Sequence, residues 1–161
     1  MRRLFFCALV AFSANAAAQP SAQAPAEIKL AAAMFATLPN APDCMTVAVE
    51  RGDPAQGSSS VLVRMTPSCD SRTHWNSAAA SVLAISGTTQ LDIKGEKSSP
   101  MLVGDFVFMP AHHIHRERCT GTVPCVFYAE RYGPFDVHYV DSAGNEIPEA
   151  EALRGAKKSQ R

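Results

Sequence analysis

Residues 73–76, "THWN", carry the first side chains that could bind a metal ion or a small polar molecule. His74 and Asn76 are two residues apart, and in a β-strand this spacing places both on the same face. An imidazole nitrogen is a common ligand of transition metals, whereas an amide oxygen is a weak neutral donor. The pair is consistent with a metal site, with the remains of one, or with two polar side chains that line up without a ligand.

A second polar stretch, "HHIHRERC", follows at residues 112–119. If His115 points into the protein, the two-residue period of a strand places His113, Glu117 and Cys119 on the same inner face. Imidazole nitrogens and carboxylate oxygens are typical ligands of divalent transition metals. The chemistry therefore depends on whether the fold brings the two stretches together.

The elements that must position these groups are short strands. From Met45 onward, eight β-rich runs are separated by turn residues: "TVAVE", "SVLVRM", "SVLAIS", "TTQLDI", "PMLV", "DFVFMP", "CVFYAE" and "DVHYV". This spacing indicates an all-β antiparallel sandwich or barrel, and no long helical pattern interrupts it. The side chains of Val61, Val63 and Met65 are expected on one face, and "DFVFM" is expected in the middle of the core because both of its faces are apolar.

The segment before these runs predicts a helix. "EIKLAAAMFATL", residues 27–38, combines good helix formers with apolar residues on one side. We expect a short N-terminal helix and lead-in over residues 27–44.

Residues 1–18 have the three regions of a secretory signal peptide: two arginines, an apolar run over residues 4–12, and small residues up to Ala18. The alternative, a membrane anchor, needs about 20 apolar residues, which this run lacks. We therefore expect a periplasmic or secreted protein without a membrane span. Residues 19–26, "QPSAQAPA", are expected to form a flexible linker and residues 142–161 a polar C-terminal tail.

Charge excludes one class of partner. Removal of the signal peptide leaves 13 basic and 15 acidic side chains. No basic patch remains that could hold a phosphate backbone, so we expect no nucleic-acid binding.

Four cysteines remain after the signal peptide, which contains Cys7. Cys119 and Cys125 flank the turn "TGTVP" and could face each other across a hairpin, which leaves Cys44 to pair with Cys69. An even number of cysteines in an exported chain favours disulfides. A thiolate metal site is the alternative, but the sequence has no CxxC spacing.

Two stretches resemble the motifs of the cupin superfamily. "GDFVFMPAHHIH", residues 104–115, is similar to the second cupin motif, and the piece from His74 through "SVLAISGT" is similar to the first. The framing "ERGDP", "HW", "MPA" and "GPFDVHYV" resembles small exported single-domain cupins whose first motif reads His-Trp-His. The resemblance covers residues 46–141 and implies a cupin jelly-roll barrel, here assigned to residues 45–141.

The resemblance also implies a metal ligand set, of which only part is present. Cupins hold a divalent metal with two histidines and a glutamate from the first motif and a histidine from the second. His74 occupies the first of these places and His115 the last, while Asn76 and Ala80 stand at the other two. Loss of an imidazole and a carboxylate should lower metal affinity strongly, so the expected site is depleted.

The second stretch could rebuild the site. His113 and Glu117 could supply an imidazole and a carboxylate beside His74 and His115. The rebuilt set places three ligands on one strand, and like-facing positions lie about 6.5 to 7 Å apart. His113 and Glu117 would therefore strain to reach one ion together.

Simpler interpretations exist for the other polar groups. Residues 112–113 could lie in a solvated turn after Pro110, and His138 could lie at a surface or edge position. Residues 116–118 could form a salt-bridged outer edge that contributes little to stability. Trp75 should point away from His74 and pack on the sheet.

Three functions are consistent with these residues. The first is a small-molecule-binding barrel with a depleted metal site, in which His74, Asn76 and His115 are polar handles. The second is a metal-dependent enzyme of the dioxygenase, isomerase or decarboxylase kind, using iron, manganese, nickel or zinc. The third is a non-catalytic envelope scaffold, which could be a homodimer. The sequence leaves open whether the protein is an enzyme.

Overall fold

The computed structural model describes residues 27–154, so the expected signal peptide and linker and the last part of the tail lie outside the described residues. The described chain contains eleven β-strands, a 3₁₀ turn at Leu30–Ala32 and a short helix, α1, at Glu149–Ala152. The strands are β1 (Ala36–Thr37), β2 (Met45–Gly52), β3 (Ser59–Met65), β4 (His74–Trp75), β5 (Ala80–Ser86), β6 (Thr89–Ile93), β7 (Ser99–Met101), β8 (Phe106–Met109), β9 (His115–Cys119), β10 (Cys125–Arg131) and β11 (His138–Tyr139).

The strands form two antiparallel sheets. The six-stranded sheet has the order β1-β2-β3-β10-β5-β8, and the five-stranded sheet has the order β11-β4-β9-β6-β7. The predicted antiparallel all-β architecture is therefore confirmed. The two polar stretches fall on adjacent strands, β4 and β9, of the five-stranded sheet.

The core is lined by side chains that alternate along the central strands. Val61, Val63 and Met65 of β3 are buried in one cluster, as predicted, together with Phe127 and Ala129 of the neighbouring β10. Burial of each large apolar side chain stabilises the fold by about 1.5–3 kcal/mol. These two strands therefore provide a rigid wall for the interior.

Both predicted disulfides are formed. Cys119 at the end of β9 pairs with Cys125 at the start of β10, with a Cα–Cα distance of 5.8 Å. Because β9 and β10 belong to different sheets, this bond connects the two sheets. Cys44, just before β2, pairs with Cys69, which follows β3, with a Cα–Cα distance of 5.6 Å. Each closed loop should stabilise the fold by roughly 2–4 kcal/mol.

The predicted N-terminal helix is wrong. Residues 30–32 form only a 3₁₀ turn, and residues 36–37 form strand β1, which pairs with β2. Of the apolar side chains on the expected helix face, Ile28, Leu30 and Met34 are exposed, Met34 at 88%, and the other two are partly buried. A short helix with most of its apolar face exposed is marginal in water, whereas the edge of β2 offers hydrogen bonds to an extended chain.

The predicted central position of "DFVFM" is also wrong. Strand β8 lies at the edge of its sheet and pairs only with β5. Phe106 and Phe108 are 63% and 53% exposed, whereas Met109 is buried. Alternation along an edge strand buries one face only, so an apolar run on both faces does not by itself indicate a central strand.

The C-terminal part of the described chain contacts the sheet. Helix α1 packs near β11, and Leu153 directly after it is buried. Among residues 27–154, no helix is long and apolar enough to cross a membrane.

Candidate metal centre

Strand pairing brings the two imidazoles of the sequence motifs together. His74 and His115 are direct register partners in the antiparallel pair β4 and β9. Their ring centroids are 4.3 Å apart, and both residues are buried, at 8% and 5% exposure. Two residues 41 positions apart in the chain therefore meet in the interior, on the inner face of the five-stranded sheet.

A carboxylate completes the group. Glu117 lies two residues after His115 on β9, and its Oε1 is 3.4 Å from Nε2 of His115. One ligand atom from each of His74, His115 and Glu117 lies within 4.8 Å of the other two. The side chain of Glu117 keeps 27% of its surface accessible and lines the interior cavity. This trio, called the three-donor cluster below, could hold a metal ion.

Hydrogen bonds fix which imidazole nitrogens face the cluster. Nδ1 of His74 lies 2.9 Å from the carbonyl oxygen of Arg72, and Nδ1 of His115 lies 2.8 Å from that of His113. A carbonyl oxygen only accepts, so each Nδ1–H donates. Nε2 is therefore the nitrogen of each ring that is available for a metal. On His115 this atom lies beside Oε1 of Glu117, which favours a proton there, so a metal would displace that proton.

Ser71 orients the carboxylate in a similar way. Its hydroxyl donates to Oε2 of Glu117 at 2.6 Å and accepts the backbone N–H of Glu117 at 2.8 Å. Oε1 therefore stays free of this contact. Ser71 could not be identified from the sequence, because it lies in a loop where no strand period relates it to β9.

Burial and charge set the protonation of the cluster. Burial lowers the pKa of His74 below its ordinary value, more than the nearby Glu117 carboxylate raises it. Burial would raise the pKa of Glu117, but the charge and hydrogen bond of His115 hold that pKa well below its usual range. Burial would lower the pKa of His115, yet Glu117 raises it above the ordinary value. The cluster thus contains an anionic carboxylate, as metal binding requires.

The donor set fits a divalent transition metal. Two imidazole nitrogens and one carboxylate oxygen form the combination that non-haem iron and related metals use with open positions. All three donors belong to the five-stranded sheet, so they approach from one side and the cavity lies beside them. Iron, manganese, nickel and zinc are all compatible with these donors.

The other three proposed site residues have different places. Asn76 lines the cavity, but its amide Nδ2 donates to the backbone carbonyl of Asp136 at 2.5 Å. Ala80 also lines the cavity and offers no donor atom. The side chain of His113 is exposed, and among the described residues it belongs to no group that could hold a metal. His112 has φ 60°, so the chain still turns there, and strand alternation begins only at His115.

The remaining polar residues form the outer surface. Trp75 stacks on His138, with centroids 3.7 Å apart and planes 2° from parallel, and its ring lies 4.7 Å from that of His112. Arg116 pairs with Asp70 on the outer face of β9. Trp75 therefore points away from His74, as expected from alternation.

The cavity beside the three-donor cluster has a volume of about 100 Å³. Its other walls are mostly apolar and include Val63, Leu91, Val107, Met109 and Phe127. Arg131 also lines it, at the last position of β10. Arg131 was not among the predicted site residues, although "CVFYAER" indicates it: inward positions alternate from Cys125 and end at this arginine.

Solved structures with similar folds support the assignment of the architecture. A cupin-2 domain protein from Rhodospirillum rubrum, Rru_A2000, has a TM-score of 0.58 and 15% identity, covering 74% of this chain and 82% of that one. KdgF from a Halomonas species has a TM-score of 0.55 and 12% identity, covering 68% and 94%. The DMSP lyase DddQ from Ruegeria pomeroyi has a TM-score of 0.55 and 16% identity, covering 74% and 62%. No protein-family model and no curated protein matches the sequence. At these identities the likeness establishes the fold, and it confirms the predicted cupin barrel.

Proposed function

We propose that this chain, which has the cupin fold, is an exported protein that uses one divalent transition metal to bind and transform a small molecule inside its barrel. One observation carries the proposal: one ligand atom from each of His74, His115 and Glu117 converges beside a mostly apolar cavity. The partners of these groups, two backbone carbonyls and Ser71, occupy the atoms that would not bind a metal.

Each residue has a defined task in this function. His74, His115 and Glu117 hold the metal, and Ser71 keeps Oε1 of Glu117 turned toward the histidines. A bound metal would act as a Lewis acid or, if redox-active, would support oxygen chemistry. The apolar walls limit water around the bound molecule and strengthen the electrostatic interactions inside. The proposed reaction is of the dioxygenase, isomerase or decarboxylase kind.

The carboxylate on β9 supports the rebuilt version of the site over the depleted version, both of which were considered from the sequence. Asn76 and Ala80 do not supply the missing ligands, but Glu117 supplies the charge that a dication needs in a low-dielectric interior. The proposed set therefore has three protein donors rather than four. DddQ, one of the similar structures, is named a lyase, and this supports a small-molecule reaction by fold analogy only.

Metal-free binding is the second candidate. The imidazole of His115 and the carboxylate of Glu117 lie 3.4 Å apart and can neutralise each other without a cation. In that case His74, Asn76 and His115 act as polar handles for the ligand. The scaffold function and the homodimer stay predictions.

Elemental analysis separates these candidates. Untagged protein purified from the periplasm should contain about one transition metal per chain, and Glu117→Gln should lose it. Glu130→Gln is a matched control, because Glu130 also accepts a hydrogen bond from a serine, Ser60 at 2.8 Å, but does not line the cavity. Metal-free wild-type protein after reconstitution with iron, manganese, nickel and zinc in turn would contradict the proposal.

Export is supported by the two disulfides, which are typical of proteins in oxidising compartments. N-terminal sequencing of the periplasmic protein should find Gln19 as the first residue. A chain that starts at Met1 or stays in the membrane fraction would contradict cleavage at Ala18.

A further inference from the structure

Arg131 is a cation placed inside the barrel. It is the last residue of β10, in the alternating series whose earlier members, Cys125, Phe127 and Ala129, are all buried in the core. Arg131 is mostly buried and lines the cavity from the six-stranded sheet. The three-donor cluster lies on the opposite, five-stranded sheet. The cavity therefore has a cation on one wall and the candidate metal ligands on the other.

No carboxylate of residues 27–154 forms an ion pair with Arg131. Two carboxylates lie near enough to influence its charge, Glu117 and Asp136, but both have other partners. Glu117 contacts His115 and Ser71, and Asp136 accepts from the backbone N–H of Ser77 at 2.8 Å.

The guanidinium of Arg131 lies over an aromatic ring. Its central carbon lies 4.1 Å from the centroid of Phe135, which also lines the cavity. Burial lowers the pKa of Arg131 to about 10, so the group stays charged at neutral pH. A buried charge without a counter-charge is destabilising, and folded proteins normally pair it. The partner is therefore expected from outside residues 27–154.

We propose that Arg131 binds the carboxylate of a small organic acid that occupies the cavity. This inference rests on the proposed function, because it assumes that the cavity is the ligand site. The planar guanidinium matches a carboxylate through two parallel hydrogen bonds. The rest of the acid packs against the apolar wall and points toward the three-donor cluster.

The size and charge of the cavity limit the acid. At about 30 Å³ for each water in the liquid, a volume of about 100 Å³ corresponds to roughly three water molecules. The acid is therefore short and carries few polar groups. A single guanidinium matches one negative charge, whereas a phosphate dianion would need further donors and would lie near the anionic Glu117. A monocarboxylate fits better than a phosphate.

The test compares an acid with its neutral amide. Butanoate and butanamide have nearly the same size and differ in charge. Calorimetric titrations should be made on the untagged mature protein, once after EDTA treatment and once loaded with Zn²⁺. The variants are Arg131→Gln, Arg131→Lys and, as a matched control, Arg64→Gln. Arg64 also lies over a phenylalanine ring, Phe35 at 3.6 Å, but outside the cavity.

Wild type and Arg64→Gln should prefer butanoate over butanamide in both metal states. Arg131→Gln should weaken butanoate binding about 10- to 100-fold and leave butanamide binding unchanged. Arg131→Lys keeps the charge but lacks the planar guanidinium, so it should lose part of the butanoate affinity. This variant keeps the test valid if Arg131→Gln does not fold. Circular dichroism checks that each variant is folded.

Two results would overturn the inference: no preference for the acid in wild type, or unchanged acid binding in both Arg131 variants. A preference that depends on Arg131 in a protein that takes up no metal would support the inference and contradict the metal-dependent function. If the protein binds stoichiometric Zn²⁺ but shows no preference for the acid, the proposed metal site is supported and the proposed role of Arg131 is contradicted.

Discussion

The two ends of the barrel interior differ in chemistry although the same two strands line both. On β9, the inward positions run from His115 through Glu117 to Cys119, and on β10 they run from Cys125 to Arg131. At one end, which we call the sealed end, the Cys119–Cys125 disulfide joins the two strands. At the other end they carry buried polar groups, which we call the site end.

The groups that stabilise the fold and the groups of the candidate site therefore lie at opposite ends of β9 and β10. The sealed end contains apolar and covalent contacts, with Met65 opposite Cys125 in the strand register. The site end contains a buried imidazole pair and a cation, each of which is unfavourable to bury without partners. The barrel can hold such buried polar groups because its stability comes from the contacts at the sealed end.

Truncation of a core side chain at the sealed end should have the largest effect. Met65→Ala removes a side chain that is 1% exposed and should lower the free energy of unfolding by about 2–5 kcal/mol. Urea denaturation measures the change, with the exposed Met34→Ala as the control near zero. Equal losses in the two variants would remove the distinction between the core and the surface.

Removal of the disulfide at the sealed end should have a slightly smaller effect. The double variant Cys119→Ala and Cys125→Ala should lower the free energy of unfolding by roughly 2–4 kcal/mol. The metal content of the folded protein should not change, because neither residue belongs to the three-donor cluster. Loss of metal from a folded double variant would show that the two ends are coupled.

Metal loading at the site end should stabilise the protein through linkage. Free Zn²⁺ at 100 times its dissociation constant should raise the free energy of unfolding by about 2.7 kcal/mol, and EDTA should reverse this. Ser71→Ala should weaken Zn²⁺ binding about 10- to 100-fold, because it frees Glu117 to rotate. Thermal denaturation in the two conditions measures both effects, and equal melting temperatures in wild type would argue against a metal.

Replacement of the cation at the site end should have the smallest effect on stability. Arg131→Met should leave the free energy of unfolding of the ligand-free protein unchanged or raise it by about 1 kcal/mol, since it removes a buried, unpaired charge. A loss of several kcal/mol on urea denaturation would instead give Arg131 a structural role and weaken the contrast between the ends.

The alternating parts of this molecule could be predicted from the sequence. The strand runs predicted the antiparallel architecture, and the two-residue period predicted Glu117 on the face of His115; both follow from backbone geometry that is local to each strand. The meeting of His74 with His115 was implied by the resemblance to the cupin motifs. The disulfides were predictable for a related reason, since Cys119 and Cys125 flank one short turn.

Features that depend on three-dimensional neighbours could not be predicted in this way. Ser71 contacts Glu117 from a loop. His113 does not share the inward face of His115, because the turn at His112 ends only just before β9. The helix expected over residues 27–38 was wrong because most of its apolar face has nothing to cover. Phe106 and Phe108 were misplaced because a sequence does not show which strand lies at an edge.

The stacking of Trp75 on His138 makes the molecule its own optical reporter. The chain contains one tryptophan, so a single indole accounts for all of its tryptophan fluorescence. That indole directly follows His74 in the chain, yet it faces the outer surface rather than the cavity. Tryptophan emission can therefore report the separation of β4 from β11 during unfolding without an added label. Because the indole lies outside the cavity, it does not block ligand entry.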